Sequence, residues 1–156
     1  MIAVTAAAVA LIMRYEGYHA SAYPDPGDGT WTVGWGSTRW ADGRRVVPGD
    51  VIDEASAEAL LAHTVRGVVA TLETLVPGAW DKMSHPQQAA MIAFTYNVGS
   101  GNLYKSTLRR RLLAGEDPGQ VIAGEFPKWR KAGGKIMPGL VRRRAEEVEL
   151  ARLATL

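Results

Sequence analysis

Residues 15–36 read YEGYHASAYPDPGDGTWTVGWG, and the fold class turns on them. An apolar run, MIAVTAAAVALIM, ends just before Arg14. Glu16 follows, with Gly17 as the expected helix stop. Tyr23 and Asp25 then lead into a turn crowded with Pro24, Pro26, Gly27 and Gly29. Asp28-Gly29 is a strong hairpin signal, and Thr30 to Trp35 alternates as a short strand closed by Gly36. Two carboxylates therefore sit on different elements with a tight turn between them. Taken alone, Glu16 could be a helix-end acid and Asp25 an ordinary turn residue. Glycoside hydrolysis needs a pair placed this way: one acid to protonate the leaving oxygen, and one carboxylate to activate water or attack the sugar.

The pattern E-G-x(6)-Y-x-D, a Gly-containing turn, then T-x-G-x-G resembles the signature of phage-type lysozymes and endolysins, glycoside hydrolase family 24. It is carried by Glu16-Gly17, Tyr23, Asp25 and Thr32-Val33-Gly34-Trp35-Gly36. Later segments extend the resemblance over nearly the whole chain: Phe94, Asn97, Val98 and Gly99; Ser106 to Leu108; Trp129; and Gly139, Leu140, Arg142 and Arg143. The fold it implies is α+β and mainly helical. A small β-containing lobe (about 15–52) is joined by a long helix (about 53–76) to a helical lobe (about 77–156, plus the helix over 3–14). All of this forms one lysozyme-like domain.

The resemblance implies hydrolysis of peptidoglycan at the β-1,4 bond between N-acetylmuramic acid and N-acetylglucosamine, with inversion. Glu16 would be the general acid, which must carry a proton at the working pH, a state that burial between lobes favours. Asp25 would stay ionised and activate water, and the Thr32 hydroxyl would hold that water. The substrate path is expected to include Tyr23, Gly34, Trp35, Tyr96, Asn97, Arg142 and Arg143. Arg142 or Arg143 resembles the arginine that stands beside the catalytic Glu. A cation there favours the charged acid but can also fix its orientation. Three features depart from the common pattern. The Asp25–Thr32 turn is one residue longer, which makes Thr30 a rival to Thr32. Ser37 stands where a His is common. Trp35 replaces a residue that is often smaller or Tyr.

Composition is compatible with this. A chain of 156 residues has room for one core, and 47 % hydrophobic with 22 % charged residues is ordinary for a globular protein. Cys is absent, so disulfides and thiolate metal sites are excluded. His19, His63 and His85 lack ligand spacing, and no phosphate loop is visible. No metal or other cofactor is expected. The net charge of +2 hides two local clusters, Arg109–Arg111 and Arg142–Arg144. Such runs are usually solvated helix faces. Attraction to an anionic bacterial envelope is the sharper reading. Nucleic acid is not an expected partner, since no such motif surrounds the first cluster and acids follow the second.

Met1 to Met13 lacks a basic flank and is too short to span a bilayer, which takes roughly 20 residues. It reads as a buried first helix, with Ile2, Ala6, Val9 and Met13 on one stripe, helped by Leu11 and Ile12. No membrane insertion is expected. An endolysin of this kind would be a monomer, made in the host cytoplasm, acting in the periplasm on the wall, and dependent on a separate holin for exit. The rest of the chain predicts a third strand over Arg44 to Val47. A long helix then starts at Asp53 with Ala57, Leu60, Leu61, Val65, Val68, Val69, Leu72 and Val76 as its apolar positions. A helix capped by Ser84 is followed by loops at 99–102 and around Gly133-Gly134, and a last helix covers about 140–153. A peptidoglycan-binding module without chemistry, or an antibacterial effector with the same chemistry, are the alternatives on this fold.

Overall fold

The computed structural model describes residues 1–156. The first helix, α1 (Ile2–Glu16), ends at Gly17, which takes a positive φ of 70°. Its buried face is Val4, Ala8, Leu11 and Ile12, whereas Ile2 is 88 % exposed. The expected stripe is therefore rotated. In an alanine-rich helix apolar residues lie on every side, and packing against a later helix selects the face.

Strands β1 (His19–Pro24) and β2 (Trp31–Gly34) form an antiparallel pair, with Tyr23 opposite Thr32 and Pro24 opposite Trp31. The turn between them is bonded from both sides. Asp25 N–H donates to the Thr30 carbonyl at 2.8 Å, and Gly29 N–H to the Asp25 carbonyl at 2.8 Å. Asp25 Oδ1 accepts from Gly27 N–H at 2.7 Å, and Asp28 Oδ1 from Thr30 N–H at 2.9 Å. These Asx bonds consume the donors that a tight turn leaves over.

No third strand forms over Arg44 to Val47; only a single bridge pairs Arg39 with Arg45. The reason is Asp50. Its Oδ2 accepts from Val47 N–H at 3.0 Å, from the Trp40 indole at 2.9 Å and from Arg44 at 3.2 Å. A side chain takes the donor that a partner strand would have used. These bonds, led by Val47 N–H, hold the Asp50 carboxyl below the ordinary carboxylate range. Its stabilising contribution is thus complete above its ordinary value and fades as pH falls through the lowered folded value. Asp50→Asn is expected to lower the melting temperature at neutral pH and to narrow that difference in acid. Paired thermal melts across pH 2.5–7 check this; a difference that stays constant with pH would contradict it.

The long helix α2 (Glu54–Leu75) is capped by Asp53, whose carboxylate accepts from Ser56 N–H. At 22 residues it is about 33 Å long. Ala57 and Leu60 pack into a small cluster with Val33, Val46 and Ile52. Further along, Leu61, Val65, Val69 and Leu72 enter the large cluster. One apolar stripe therefore serves both cores, and Val68 is only half-buried.

Five further helices build the large cluster. They are α3 (Ala79–Lys82), α4 (His85–Val98), α5 (Ser100–Tyr104), α6 (Thr107–Leu113) and α7 (Pro118–Glu125), followed by a 3-10 turn at Phe126–Lys128. Ser84 and Gln87 form the expected capping box on α4. Residues 88–95 of α4 are all buried, as befits a helix surrounded by others. Phe94 stacks on Phe126 at 4.0 Å, with Trp129 edge-on at 5.7 Å. Residues 100–102 of the expected loop belong to α5, with Gly99 as its N-cap and buried Leu103 as its anchor. Gly133-Gly134 is not a plain loop either. It is the two-residue turn of a hairpin, β3 (Lys131–Ala132) and β4 (Lys135–Ile136), with both glycines at positive φ. The last helix, α8 (Pro138–Ala151), packs on α4. No helix is long and apolar enough to cross a membrane.

Candidate active site

The end of α1, the β1–β2 turn and the end of α4 converge on a cleft of about 250 Å³. Glu16, Asp25 and Thr32 all line it, with Tyr23, Tyr96 and Asn97. Thr30 and Asp28 line it as well. Asp28 is held below the ordinary carboxylate range, chiefly by Thr30 N–H and its hydroxyl. Thr32 is buried, and its hydroxyl donates weakly to the Tyr23 carbonyl at 3.3 Å.

Glu16 is a half-buried acid with a single ionic partner. Its Oε1 accepts from Arg143 at 2.6 Å. Arg143 is itself 4 % exposed and also donates to Glu147 at 3.2 Å and to the Ala93 carbonyl at 3.4 Å. Arg144 donates to Glu147 at 2.8 Å and to Asn97 Oδ1 at 2.9 Å. Glu147 is fully buried between the two guanidinium groups, and burial pushes its carboxyl up to about 7 even though both arginines favour its charged form. Two cations and two acids thus tie α8 to the residues at both α-helical edges of the cleft.

The floor requires glycine at one place. Gly36 has φ +88°, and a Cβ there would lie 3.1 Å from Glu16 Oε2 and 3.5 Å from the Tyr96 hydroxyl. The Tyr96 hydroxyl donates to the Trp35 carbonyl at 2.9 Å, which joins α4 to the β2 exit. Burial, then the charge of Glu16, pushes the Tyr96 phenol upward.

Three expected substrate-path residues lie elsewhere. Gly34 is buried under α2, where a Cβ would meet Ala57 Cβ at 2.9 Å. Trp35 packs between the two hydrophobic clusters, 5.5 Å from the Tyr18 ring, with its indole nitrogen buried. Its side chain fills the junction and does not line the cleft. Arg142 is exposed on α8, and Arg143 takes the place beside Glu16. The run Arg142–Arg144 is therefore not a solvated face: Arg143 and Arg144 are 4 % and 1 % exposed. Sequence reasoning missed Arg144 and Glu147. The signal was present, since Glu147 stands four residues after Arg143 and three after Arg144, a spacing that places partners on one helix face.

A small β-sheet lobe, a long connecting helix and an acid-lined cleft against a helical bundle define a lysozyme-like architecture. The sequence profile of the phage lysozyme family matches residues 13–147. The chain is 38 % identical over 145 residues to the endolysin of Bacillus phage B103, covering 92 % of this chain and 52 % of that one. It is 35 % identical over 144 residues to the endolysin of Acyrthosiphon pisum secondary endosymbiont phage 1, covering 90 % of this chain and 91 % of that one. The structure of the endolysin from Escherichia coli O157:H7 phage FAHEc1 superposes with a TM-score of 0.74 at 26 % identity, over 94 % of this chain and 90 % of that one. The chain belongs to the phage lysozyme family. It spans about half the length of the Bacillus phage relatives.

Proposed function

We propose that the chain is a peptidoglycan hydrolase of the endolysin type, a muramidase that cuts the β-1,4 bond between N-acetylmuramic acid and N-acetylglucosamine. The observation that carries this reading is the convergence of Glu16, Asp25 and Thr32 on one cleft, with Glu16 fixed by Arg143. Family membership and the endolysin relatives support it.

Glu16 protonates the glycosidic oxygen as the bond to the anomeric carbon breaks. Asp25 takes a proton from water, whose oxygen bonds to that carbon from the opposite face, so the product is inverted. Thr32 holds the water. Its hydroxyl donates only weakly to the Tyr23 carbonyl, and its oxygen has lone pairs to accept from water. Arg143 keeps the Glu16 carboxyl from turning away. Asn97 has its oxygen fixed by Arg144, so its amide nitrogen is free to donate to a sugar acetamido group. Tyr23 and Tyr96 supply walls. The protein works as a monomer on the bacterial wall from the periplasmic side, after synthesis in the host cytoplasm and release through a holin-dependent step.

The test is digestion of purified peptidoglycan with mass spectrometry and anomer analysis of the products. Reducing-end N-acetylmuramic acid in the α form is expected. Products with a different reducing-end sugar, or none, would overturn the assignment. In the same assay Thr32→Ala is expected to lose roughly 10²-fold in turnover, within the range of general acid–base contributions. Thr30→Ala should stay within a few-fold, because Thr30 serves Asp28 in the turn. The reverse order would move the water-holding role to Thr30.

A further inference from the structure

Arg143 is shared between two acids. Its Nη1 donates to Glu16 Oε1 at 2.6 Å, and its Nε donates to Glu147 Oε1 at 3.2 Å. The same Glu147 oxygen accepts from Arg144 Nη2 at 2.8 Å. Glu147, Arg143 and Arg144 are all buried, so their charges act on one another with little screening. Glu147 does not line the cleft. It stands one guanidinium away from the acid that reacts.

The arrangement contains a conflict. A general acid must hold its proton until the leaving oxygen takes it. A guanidinium at 2.6 Å favours the charged carboxylate and works against that. Arg144 adds a second cation, whose charged neighbours are Glu147, Arg143 and Glu16. Glu147 is the anion on the far side of both arginines.

No other group takes its place. Helix α4, packed on α8, carries no titratable side chain besides Tyr96 and, at its far end, His85. The Tyr96 phenol faces Glu16 from there. The elements α7 and the 3-10 turn offer Glu125 and Lys128, which pair with each other and with Arg111. From α1, the Tyr15 ring lies against Arg143 at 5.5 Å, while its phenol faces Glu146. Glu146 pairs with Arg14 at the surface, and Arg142 is exposed. Asp25 and Asp28 stand only on the cleft side. A buried ion cluster adds little stability over apolar packing, because desolvation offsets the attraction. Beside the reacting acid, its electrostatic effect falls on the chemistry.

We infer that Glu147 is a positioning residue for the proposed reaction: it draws on Arg143 and Arg144 from behind, so that Arg143 can orient Glu16 without stripping its proton. The inference rests on the muramidase reading. Burial pushes Glu147 up to about 7 while both arginines favour its anion, so the two acids titrate as a coupled set around the guanidinium groups. The charge of Glu147 is therefore fullest above neutral pH, where Glu16 most needs help to stay protonated.

The experiment is the pH profile of kcat/KM on soluble glycan strands for the wild type, Glu147→Gln and Arg144→Gln, each assayed below its melting transition. The alkaline limb reports the essential acid of the free enzyme. Glu147→Gln keeps the acceptor and removes the charge, so the limb should move down by about one pH unit, the low end of what a neighbouring charge does to a carboxyl. Arg144→Gln removes a cation from the same cluster, so the limb should move up. Loosening of α8 alone would lower the height of both profiles without moving the limbs apart. An unmoved limb in Glu147→Gln, or two limbs that move the same way, would overturn the inference and leave the muramidase reading standing. Should Glu147→Gln not fold, an upward limb in Arg144→Gln supports the inference and its absence overturns it. A wild type that cuts no strand would overturn both.

Discussion

Glu16→Gln is expected to reduce wall clearing and product release by about 10²–10⁴-fold, the range that a positioned proton donor supplies. The substitution is close to isosteric. Gln keeps an oxygen for Arg143, so the contact now at 2.6 Å loses charge but not shape. Arg143 retains Glu147 at 3.2 Å and the Ala93 carbonyl. Folding should therefore survive, and turnover should fall with little change in affinity for the wall. Turbidity loss of outer-membrane-permeabilised Gram-negative cells, run beside a wall pull-down, separates the two. Full clearing by Glu16→Gln would remove Glu16 from the chemistry. A folded native chain that binds walls but clears none would favour the binding-module alternative.

The second large effect is on stability. Glu147→Ala is expected to cost about 3–5 kcal/mol, the usual penalty for removing one partner of a buried ion pair. Glu147 is fully buried, as are the two arginines it accepts from. Without it, Arg143 keeps only Glu16 as an anionic partner, and Arg144 has none within salt-bridge distance. Against a total folding stability of roughly 5–15 kcal/mol, such a loss is severe. In a chain of this size it should lower the melting temperature by roughly 10 °C. Glu147→Gln should cost much less, since the amide oxygen still accepts from both arginines. Thermal denaturation of the two variants checks this; equal losses would mean that the charge, absent from both variants, and not the acceptor or the packing of the side chain, holds the helix. Loss of the α8 anchor should also loosen Glu16 and Asn97 together, because Arg143 holds one and Arg144 the other.

The Arg142–Arg144 run shows what a charge cluster in sequence leaves open. Three consecutive arginines point in three directions on a helix, and charge alone does not say which is covered. Only the position of α8 against α4 buries Arg143 and Arg144 and leaves Arg142 in solvent. Trp35 is similar. A Trp between two glycines in the site strand looked free to face a sugar, yet strand alternation and the approach of α2 turn it into the junction between the two cores. On α1, Leu11 and Ile12 are buried as expected and Val9 and Met13 pack partly against the core, but Val4 and Ala8 take the places expected of Ile2 and Ala6, because an Ala-rich helix offers apolar residues on every side.

The sequence by itself determined the local elements whose signals are short-range. These are the Gly17 stop, the bonded turn from Asp25 to Thr30, the Asp53 and Ser84 caps, and the apolar stripe of the long helix. Each depends on neighbours within a few residues, so the letters carry it. Glu16, Asp25 and Thr32 lie within one local stretch, and the hairpin that its turn signals announce brings them to one cleft. Tertiary structure alone decided what crosses between distant segments. It chose which arginine meets Glu16 from 127 residues away. It buried Glu147 between two cations and set one of them against Glu16. Those outcomes depend on how helices pack, and packing is a property of surfaces brought together, not of spacing along the chain.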